Sequence, residues 1–530
     1  GVPAAAQQDD GAQTDVVQPE AGTALSVQTE AAPMLDVDQA LLRDALRAAG
    51  PQVEAVLGVY EVHGFEPIWS EPRAGALLIA LESAGDHGLP AERYDMPGLD
   101  AELGTPEAEI ALTRAFLTYA RDVNSGVLEP RRVDEDIVIS PKRPDPFALL
   151  EGLAEAPDAG AYLAALVPSH PDYAVLMAEK VRLEKLASED IHGATVPGGP
   201  TLRQGDNGAR VAALRARLSS MLGTDLGTDT YFDTALADAV KEFQRSSKLN
   251  DDAVVGPATL AALNVQPEDK LKQVLVNLER QRWLNFERGS RHILVNQAAF
   301  TAKLMDHGDV TLETRVVIGK NGHRTQEFND TMTHMVINPT WHVPRSIATE
   351  EMLPKLRRNP GALGGSMQIM TRSGTRINPM LVDFRQFNQS NFPFVIKQSP
   401  GASNALGKVK FMFPNQFNIY LHDTPSKSLF NRDVRAYSHG CVRVQKPFEL
   451  AHALLAPQRD DPEGYFQSVL NGGKERRVNL DKPVPIYLTY HSAFVGENGT
   501  VEYAGDIYGR DARVFDALQA AGVSLGAVEG

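Results

Sequence analysis

The chain has 530 residues, of which 43% are hydrophobic and 23% charged, and its formal net charge is −16. This length predicts about three domains, since a domain averages roughly 150 residues. The negative charge argues against a nucleic-acid partner and against binding to an acidic membrane surface by charge. No apolar run reaches the roughly 20 residues of a membrane-spanning helix, so we expect no integral membrane segment.

The start of the chain and its single cysteine limit what the rest can do. Residues 1–35 are rich in Ala, Gln, Asp, Thr and Glu without a periodic apolar face, which predicts a disordered leader or linker. The chain opens without the charged and apolar regions of a signal peptide, so we expect a processed or trimmed chain. Cys441 is the only cysteine, which excludes an internal disulfide bond and leaves a free thiol.

A helical domain is predicted over 36–190. Leu42, Leu46 and Ala49 recur at the spacing of one helix face, and Gly and Pro separate this segment from the next ones, as at 88–90. The aromatic residues of this region are typical of a core. We therefore expect a structural domain without chemistry of its own.

A second, smaller helical unit is predicted over 201–265, after a linker rich in Gly and Pro at 191–200. Val240 and Phe243 on one helix, with Leu263 on the next, are spaced to form a small core. The polar loops are then the surfaces left for binding.

The third domain is predicted to be β-rich and to span 290–495, after a linking helix at 271–283. Segments with β-branched residues alternate there as strands do. The segment 346–400 begins as a helix and becomes rich in Gly, Asn and Gln, so we interpret it as an insert that covers a cleft. Residues 496–530 are predicted to form a C-terminal tail that ends in a short helix.

Two polar stretches of the β-rich domain carry the candidate chemistry. Residues 437–444 read Tyr-Ser-His-Gly-Cys-Val-Arg-Val, and 420–425 read Tyr-Leu-His-Asp-Thr-Pro. A thiol attacks as a thiolate, and its ordinary pKa of about 8.5 means that it needs a base near neutral pH. If both stretches contain paired strands, His422 lies beside Cys441 and is the candidate base. Gly440 allows a sharp turn that aims backbone amides at one point, as in an oxyanion hole.

Two other interpretations of the cysteine were weighed. A lone cysteine is more often a small buried residue than a nucleophile, but Ser, His, Gly and Arg beside Cys441 are poor core formers. One Cys with two His could also bind a metal, but no second Cys and no paired His spacing supports a zinc site. The sequence therefore favours a nucleophile and indicates no metal and no cofactor.

The two stretches together resemble the catalytic signature of L,D-transpeptidases of the YkuD type. The resemblance extends to 338–344, 400–411 and 413–415, which are similar to the large, multidomain, Gram-negative branch of that family. It implies a multidomain α+β protein, with a helical scaffold domain, a three-helix peptidoglycan-binding domain and a β-rich, sandwich-like catalytic domain. It also implies that the insert is a capping subdomain.

For the catalytic residues, the resemblance implies that Cys441 is the nucleophile and His422 the proton donor and acceptor. Ser438 would hydrogen-bond within the site. The backbone amides of His439, Gly440 and Cys441 are the oxyanion candidates. In the family a backbone carbonyl commonly orients the histidine, so that role is not assigned to the Asp423 side chain.

Four further residues are predicted to bind substrate. Arg443 is placed to bind a carboxylate or to favour the thiolate by its charge, with a structural ion pair as the alternative. Tyr420 should share a strand face with His422. Trp341 and Asn338 are predicted to line the cleft, with core packing as the alternative for these two and for Tyr420.

The resemblance implies a periplasmic enzyme that joins the third residues of peptidoglycan stem peptides through a cysteine thioester. Three alternatives stay open: attachment of a protein amine, such as that of an outer-membrane protein, hydrolysis as an L,D-carboxypeptidase or endopeptidase, and an inactive wall-binding scaffold. Carbapenems are expected to add covalently at Cys441.

Overall fold

The structure is a computed structural model that describes residues 35–188, 194–247 and 249–525. Residues 1–34 of the predicted leader lie outside this part, as do 189–190 of the predicted helical domain, 191–193 of the predicted linker and 526–530 of the predicted tail. No helix of the described part is both long and apolar enough to cross a membrane. Helical regions precede a β-rich region, so the predicted multidomain α+β fold class is confirmed.

The described part of the N-terminal domain contains nine α-helices around one core. These are α1 Val37–Ala48, α2 Pro51–Glu54, α3 Leu57–Val62, α4 Glu71–Glu82, α5 Pro106–Ser125, α6 Pro130–Val133, α7 Pro146–Glu155, α8 Ala159–Ala165 and α9 Pro171–Ser188. Both α5 and α7 start with a capping side chain, Thr105 or Asp145, followed by proline. The side-chain oxygen of Thr105 or Asp145 accepts a hydrogen bond from a free backbone amide of the first turn, and the fixed φ of proline suits that turn.

The helix predicted as a linker, α13 (Pro267–Trp283), is a central element of the N-terminal core. Leu275 and Leu278 are buried as predicted, but Glu279 and Arg282 are buried as well and pair at 2.9 Å. A helix that is buried on several sides has neighbours on several sides. This helix therefore fixes the N-terminal domain to the segments that follow it.

The small helical unit has its own core. Its described helices are α10 Ala209–Leu222, α11 Thr234–Ser246 and α12 Pro257–Leu263. Val240, Phe243 and Leu263 are buried together, as the sequence predicts. The guanidinium of Arg215 is also buried and donates to the carbonyls of Leu226, Asp229 and Tyr231, which holds the loop between α10 and α11.

Nine strands form the main sheet of the β-rich domain in the order β10-β3-β11-β9-β8-β4-β12-β1-β2. They are β1 Arg291–Asn296, β2 Thr301–Asp306, β3 Asp309–Gly319, β4 Phe328–Ile337, β8 Val409–Met412, β9 Leu421–His422, β10 Ala436–Ser438, β11 Val442–Val444 and β12 Arg476–Thr489. The first part of β3 pairs with β2 and its end pairs with β11, so the sheet closes on itself. The sheet therefore has fewer open edges than the sandwich-like arrangement that the family resemblance implies.

The closed sheet surrounds an apolar core. Residues from β1, β3, β4, β8, β9 and β11 meet inside, together with α16 (Pro447–Leu455) and Phe466 of α17 (Pro462–Asn471). The strands β9 and β11 run parallel, with His422 opposite Arg443. This pairing brings the two polar stretches of the sequence side by side.

The insert at 346–400 forms a separate subdomain with its own core. A three-stranded sheet of β5 Trp341–His342, β7 Val395–Gln398 and β6 Met367–Met370 packs against a helical segment. That segment consists of α14 Arg345–Ile347, one π-helical turn Ala348–Met352 and α15 Leu353–Arg358. We call the region 341–400 the cap.

The C-terminal segment packs into the N-terminal core. After a hairpin of β13 (Ala493–Val495) and β14 (Val501–Tyr503), helix α18 (Arg510–Ala520) buries its apolar side against the N-terminal helical core and α13. Arg280 of α13 pairs with Asp511. The region predicted as a tail thus joins the helical and β-rich parts of the chain.

Candidate active site

Cys441 lies in a tight turn between β10 and β11, and its side chain is partly exposed. Gly440, directly before it, has φ +109°, a backbone conformation that residues with a Cβ rarely adopt. The sequence predicts such a turn at Gly440. We call residues 438–441 the nucleophile turn.

Ser438 stabilises this turn from inside. Its hydroxyl donates to the Cys441 carbonyl at 2.5 Å and accepts the Gly440 amide at 3.1 Å, and the residue is 2% exposed. The Gly440 amide is therefore engaged by a side chain of its own turn. This corrects the expectation that the Gly440 amide points into the oxyanion hole.

The loop between β3 and β4 holds the nucleophile turn from the other side. The Thr325 hydroxyl donates to the Gly440 carbonyl at 2.7 Å and accepts the Gly319 amide at 3.0 Å. The Tyr508 hydroxyl donates to the Gly319 carbonyl, and Arg510 donates to the Thr325 carbonyl at 2.8 Å. The C-terminal segment thus supports the residues that support the turn.

Replacing Thr325 with valine should disturb the turn without changing its volume. The substitution leaves the buried Gly440 carbonyl and Gly319 amide without a partner, at a cost of about 1–3 kcal/mol in unfolding free energy. We expect kcat to fall about tenfold or more, because a small displacement of a reacting group is costly. Thr331→Val, at an exposed position on β4, is the matched control and should leave kcat unchanged. Equal kcat for both variants would contradict this role.

His422 is buried, and its proton position is set by the backbone. Its Nδ1 lies 2.5 Å from the Asp423 carbonyl oxygen. A carbonyl only accepts, so Nδ1 carries the proton and the lone pair is on Nε2. The Asp423 carboxylate is itself held by Lys427 at 2.6 Å and by the Lys408 amide at 2.8 Å, which fixes the peptide that orients the ring.

Tyr420 contacts both candidate catalytic residues. Its backbone amide and its hydroxyl act to lower the pKa of the Cys441 thiol, and its ring lies edge-on to His422 with 5.7 Å between ring centres. The thiol in turn lies 3.5 Å from the Asn418 carbonyl. The sequence predicts Tyr420 as a substrate contact. In the structure Tyr420 instead acts on the Cys441 thiol.

Two cations flank the sulfur. Arg443 lies opposite His422 on β11, and its buried Nε has no hydrogen-bond partner among the described residues. Lys410 lies opposite His422 on β8, with its ammonium 5.5 Å from the centre of the Tyr420 ring. Both charges act to lower the pKa of Cys441. They are also the cations available to a carboxylate in this cleft.

Desolvation nevertheless decides the charge state of the pair, because His422 is buried and the sulfur of the partly exposed Cys441 is surrounded by protein atoms. Desolvation raises the pKa of Cys441 to about 11, against the smaller opposing effects of Tyr420, Arg443 and Lys410. Desolvation, with help from Arg443, lowers the pKa of His422 to about 3. Near neutral pH the Cys441 thiol and the His422 imidazole are therefore both neutral, and the imidazole keeps its free lone pair on Nε2.

The neutral pair predicts how fast Cys441 reacts with iodoacetamide. Because the pKa of the thiol is raised to about 11, the thiolate fraction, and with it the alkylation rate, should rise about tenfold per pH unit from 7 to 10. Cys441 is the only cysteine, so alkylation reports on this thiol alone. A small free thiol should level off above about pH 9. A rate that is flat between pH 5 and 9 would instead indicate a thiolate–imidazolium pair.

Asn338 has a structural role, which corrects its prediction as a substrate contact. It is 4% exposed with φ +51°, and its side-chain amide donates to the Leu470 carbonyl at 2.9 Å. Its amide group thus holds the end of α17. Trp341 lies on the cap, in β5, half-buried against the cap core. Its contact with substrate stays a prediction.

The His439 ring turns away from Cys441, toward the cap. Its Nε2 lies 2.7 Å from Glu351 Oε1, and its ring centre lies 4.6 Å from that of His323. The sequence does not indicate this partner of His439.

Sequence reasoning did not assign a role to Lys410, Thr325 or Glu351. Lys410 stands between the buried Val409 and Phe411, and a cation in an alternating strand signals a face outside the core. Thr325 and Glu351 carry no such signal, because both act through contacts with residues far away along the chain. No group of three or more His, Cys, Asp or Glu side chains that could hold a metal occurs in the part of the chain that the structure describes.

Three family models match the chain. Residues 54–179 match a "Scaffold domain", 207–263 a "Putative peptidoglycan binding domain" and 290–485 an "L,D-transpeptidase catalytic domain". The chain therefore carries a catalytic domain of the YkuD L,D-transpeptidase family, joined to a scaffold domain and a peptidoglycan-binding domain. The resemblance found in the motifs is thereby confirmed.

A curated relative supports the same family. A protein of Haemophilus influenzae named "Putative L,D-transpeptidase" is 34% identical over 245 residues, which are 46% of this chain and 49% of that protein. The chain thus spans about half the length of the curated relative that it matches.

Solved structures of L,D-transpeptidases are also similar to parts of the chain. One from Mycobacterium smegmatis is 12% identical, covering 38% of this chain and 58% of its own, with a TM-score of 0.18. Another, from Xylanimonas cellulosilytica, is 14% identical, covering 55% and 98%, with a TM-score of 0.16. Similarity this low carries no argument here.

Proposed function

We propose that the protein is a cysteine acyltransferase that joins the third residues of neighbouring peptidoglycan stem peptides. One observation carries the proposal. Tyr420 lies edge-on to the ring of His422 and lowers the pKa of the Cys441 thiol, and the only ring N–H proton of His422 is committed to a backbone carbonyl. A thiol directly before β11 and an imidazole with a free lone pair on the neighbouring parallel strand β9 are the two groups that acyl transfer through a thioester needs.

In the first half-reaction, the sulfur of Cys441 attacks the carbonyl carbon of an L-centred stem residue. His422 Nε2 takes the thiol proton and gives it to the amine of the D-residue as the peptide bond breaks. Because the thiol and the imidazole start neutral, we propose that proton transfer accompanies attack. The products are a thioester on Cys441 and a free D-amino acid.

In the second half-reaction, the acceptor amine attacks the thioester carbonyl. His422 Nε2 takes a proton from that amine and returns it to the sulfur as the carbon–sulfur bond breaks, which restores both neutral groups. One base thus serves both steps. The new amide bond is the cross-link.

The surroundings of the thiol support this chemistry. The backbone amides of His439 and Cys441 are our candidates for the oxyanion hole, and Tyr420 stabilises the developing thiolate. Arg443 and Lys410 are proposed to receive a stem carboxylate, since a guanidinium and an ammonium suit such an anion. The Arg443 Nε without a partner supports that role.

The setting of the reaction follows from the same proposal. A substrate within peptidoglycan and a wall-binding domain fit a periplasmic enzyme, and the small helical unit would hold the chain near its substrate. A carbapenem, which carries a strained acyl group, should acylate Cys441.

Incubation with purified muropeptides that carry tetrapeptide stems, followed by mass analysis, tests the proposal. We expect dimers that have lost one terminal residue per bond formed, and none with Cys441→Ala. Shortened monomers alone would indicate hydrolysis. If no dimers form, but an added protein becomes attached to the stem through its amine, the result would indicate protein anchoring. Unchanged muropeptides would overturn the enzyme proposal in favour of an inactive scaffold.

A further inference from the structure

Glu351 belongs to the cap, yet its carboxylate contacts the nucleophile turn. It lies in the π-helical turn Ala348–Met352, a kind of distortion that is frequent at functional positions. Its Oε1 is 2.7 Å from Nε2 of His439. Only Gly440 separates His439 from Cys441. The cap is thus linked to the turn that carries the nucleophile.

The proton inventory identifies the hydrogen bond. A carboxylate only accepts, so the short contact requires the proton of His439 on Nε2. Lys320 Nζ lies 3.3 Å from this nitrogen and 3.6 Å from Glu351 Oε1. Because an ammonium and a ring N–H both donate, Lys320 pairs with the carboxylate and not with the ring. Glu351 therefore accepts one hydrogen bond from the catalytic domain, that of His439, and forms an ion pair with Lys320.

The neighbouring charges complete the contact. His323 lies against the His439 ring, and its Nε2 is 3.9 Å from Glu350 Oε2, a distance too long for a hydrogen bond. Desolvation lowers the pKa of His439, and the Glu351 charge opposes this shift. The ring is thus neutral near pH 7. Of the two adjacent glutamates, only Glu351 makes a short bond across the cleft.

The backbone of His439 gives this bond a consequence for catalysis. Ser438 and Thr325 hold the carbonyl side of the turn through Cys441 and Gly440. The Lys320 amide donates to the Ser438 carbonyl at 2.9 Å and so holds one side of the peptide that supplies the candidate His439 oxyanion amide. The His439 ring gives this peptide a second attachment. A side chain tied to Glu351 restrains that peptide. The position of the cap and the orientation of the His439 amide are then coupled.

We propose that Glu351 is a positioning residue of the active site, which orients the nucleophile turn through the His439 ring when the cap is seated. This inference rests on the proposed acyl transfer. It assigns the cap a part in arranging the catalytic residues, in addition to covering the cleft. Glu351 itself touches no reacting atom.

The test compares Glu351→Ala, Glu351→Gln and Glu350→Ala in the full chain, with tetrapeptide muropeptides as substrate. We expect Glu351→Ala to lower kcat about ten- to a hundredfold with little change in KM, because the loss is one of positioning. Glu351→Gln keeps an acceptor for the ring N–H and should recover most of the rate. Glu350→Ala, the matched control, should stay within about twofold of the unmodified chain.

A double-mutant cycle separates coupling from a general loss of structure. His439→Ala keeps the backbone amide and removes the ring, so adding Glu351→Ala to it should cost nothing further. Independent, additive losses would overturn the proposal, as would equal rates for Glu351→Ala and Glu350→Ala. If the unmodified chain makes no product, the acyl-transfer proposal fails instead. If the unmodified chain is active and Glu351→Ala has the same rate, only the proposed role of Glu351 is wrong.

Discussion

Cys441→Ala is expected to abolish acyl transfer while the protein stays folded. The substitution removes the only sulfur nucleophile, and loss of a nucleophile costs at least about a thousandfold in kcat. The side chain is partly exposed and small, so alanine leaves little empty volume behind. The measurement is the rate of dimer formation from muropeptides, beside a thermal melt of each protein.

Cys441→Ser is the second variant of this pair. A hydroxyl has nearly the shape of the thiol but a far higher pKa, so His422 cannot activate it to the same extent. We expect less than about a hundredth of the original rate. Alanine and serine variants that both keep most of the activity, with unchanged melting temperatures, would remove Cys441 from the mechanism.

His422→Gln is expected to lower kcat by about a hundred- to ten-thousandfold, the usual contribution of general acid–base catalysis. A glutamine amide can still donate to the Asp423 carbonyl, so the local backbone keeps a partner. It has no basic lone pair for the thiol proton. The measurement is kcat for cross-linking near pH 7, where the lowered pKa keeps His422 neutral and able to act.

His307→Gln provides the control for this substitution. His307 lies between β2 and β3 with a side chain that is 81% exposed, so the same change there should leave the rate unaltered. If His422→Gln loses less than tenfold, the proton of Cys441 goes to another group. In that case the neutral-pair mechanism is wrong.

The motif chemistry was predictable because it depends on local order. The sequence places Gly440 where the chain must turn and Ser438 where a hydroxyl can reach that turn. Alternation before His422 and after Cys441 indicates two short strands. Their parallel pairing is one of few ways to bring the two stretches together, and the structure has it.

What the sequence could not predict depends on contacts between distant residues. Thr325 bonds a carbonyl 115 positions away, and Arg280 pairs with Asp511 across 231 positions. A threonine in a loop and an acid in a C-terminal segment carry no sign of such partners. The same holds for α13, because its charged residues suggest an exposed side and only the fold shows that their partners are buried with them.

The corrected residues share one physical reason. The Gly440 amide and the Asn338 side chain were predicted to face substrate from their position in a motif, but both have hydrogen-bond partners inside the protein. A buried donor must be satisfied, and the nearest acceptor is often structural. A residue near a nucleophile in the sequence is therefore close to the site, but its polar groups are not necessarily free to bind substrate.

Intact-protein mass analysis during turnover tests the central claim most directly. With a tetrapeptide stem whose own amines are blocked by acetylation, so that no acceptor amine is present, we predict that the protein gains the mass of the stem minus its terminal residue, and that this mass maps to the peptide containing Cys441. Adding the acceptor should remove it as dimers appear. Dimers that form while Cys441 stays unmodified throughout, or an acyl group on another residue, would contradict the account.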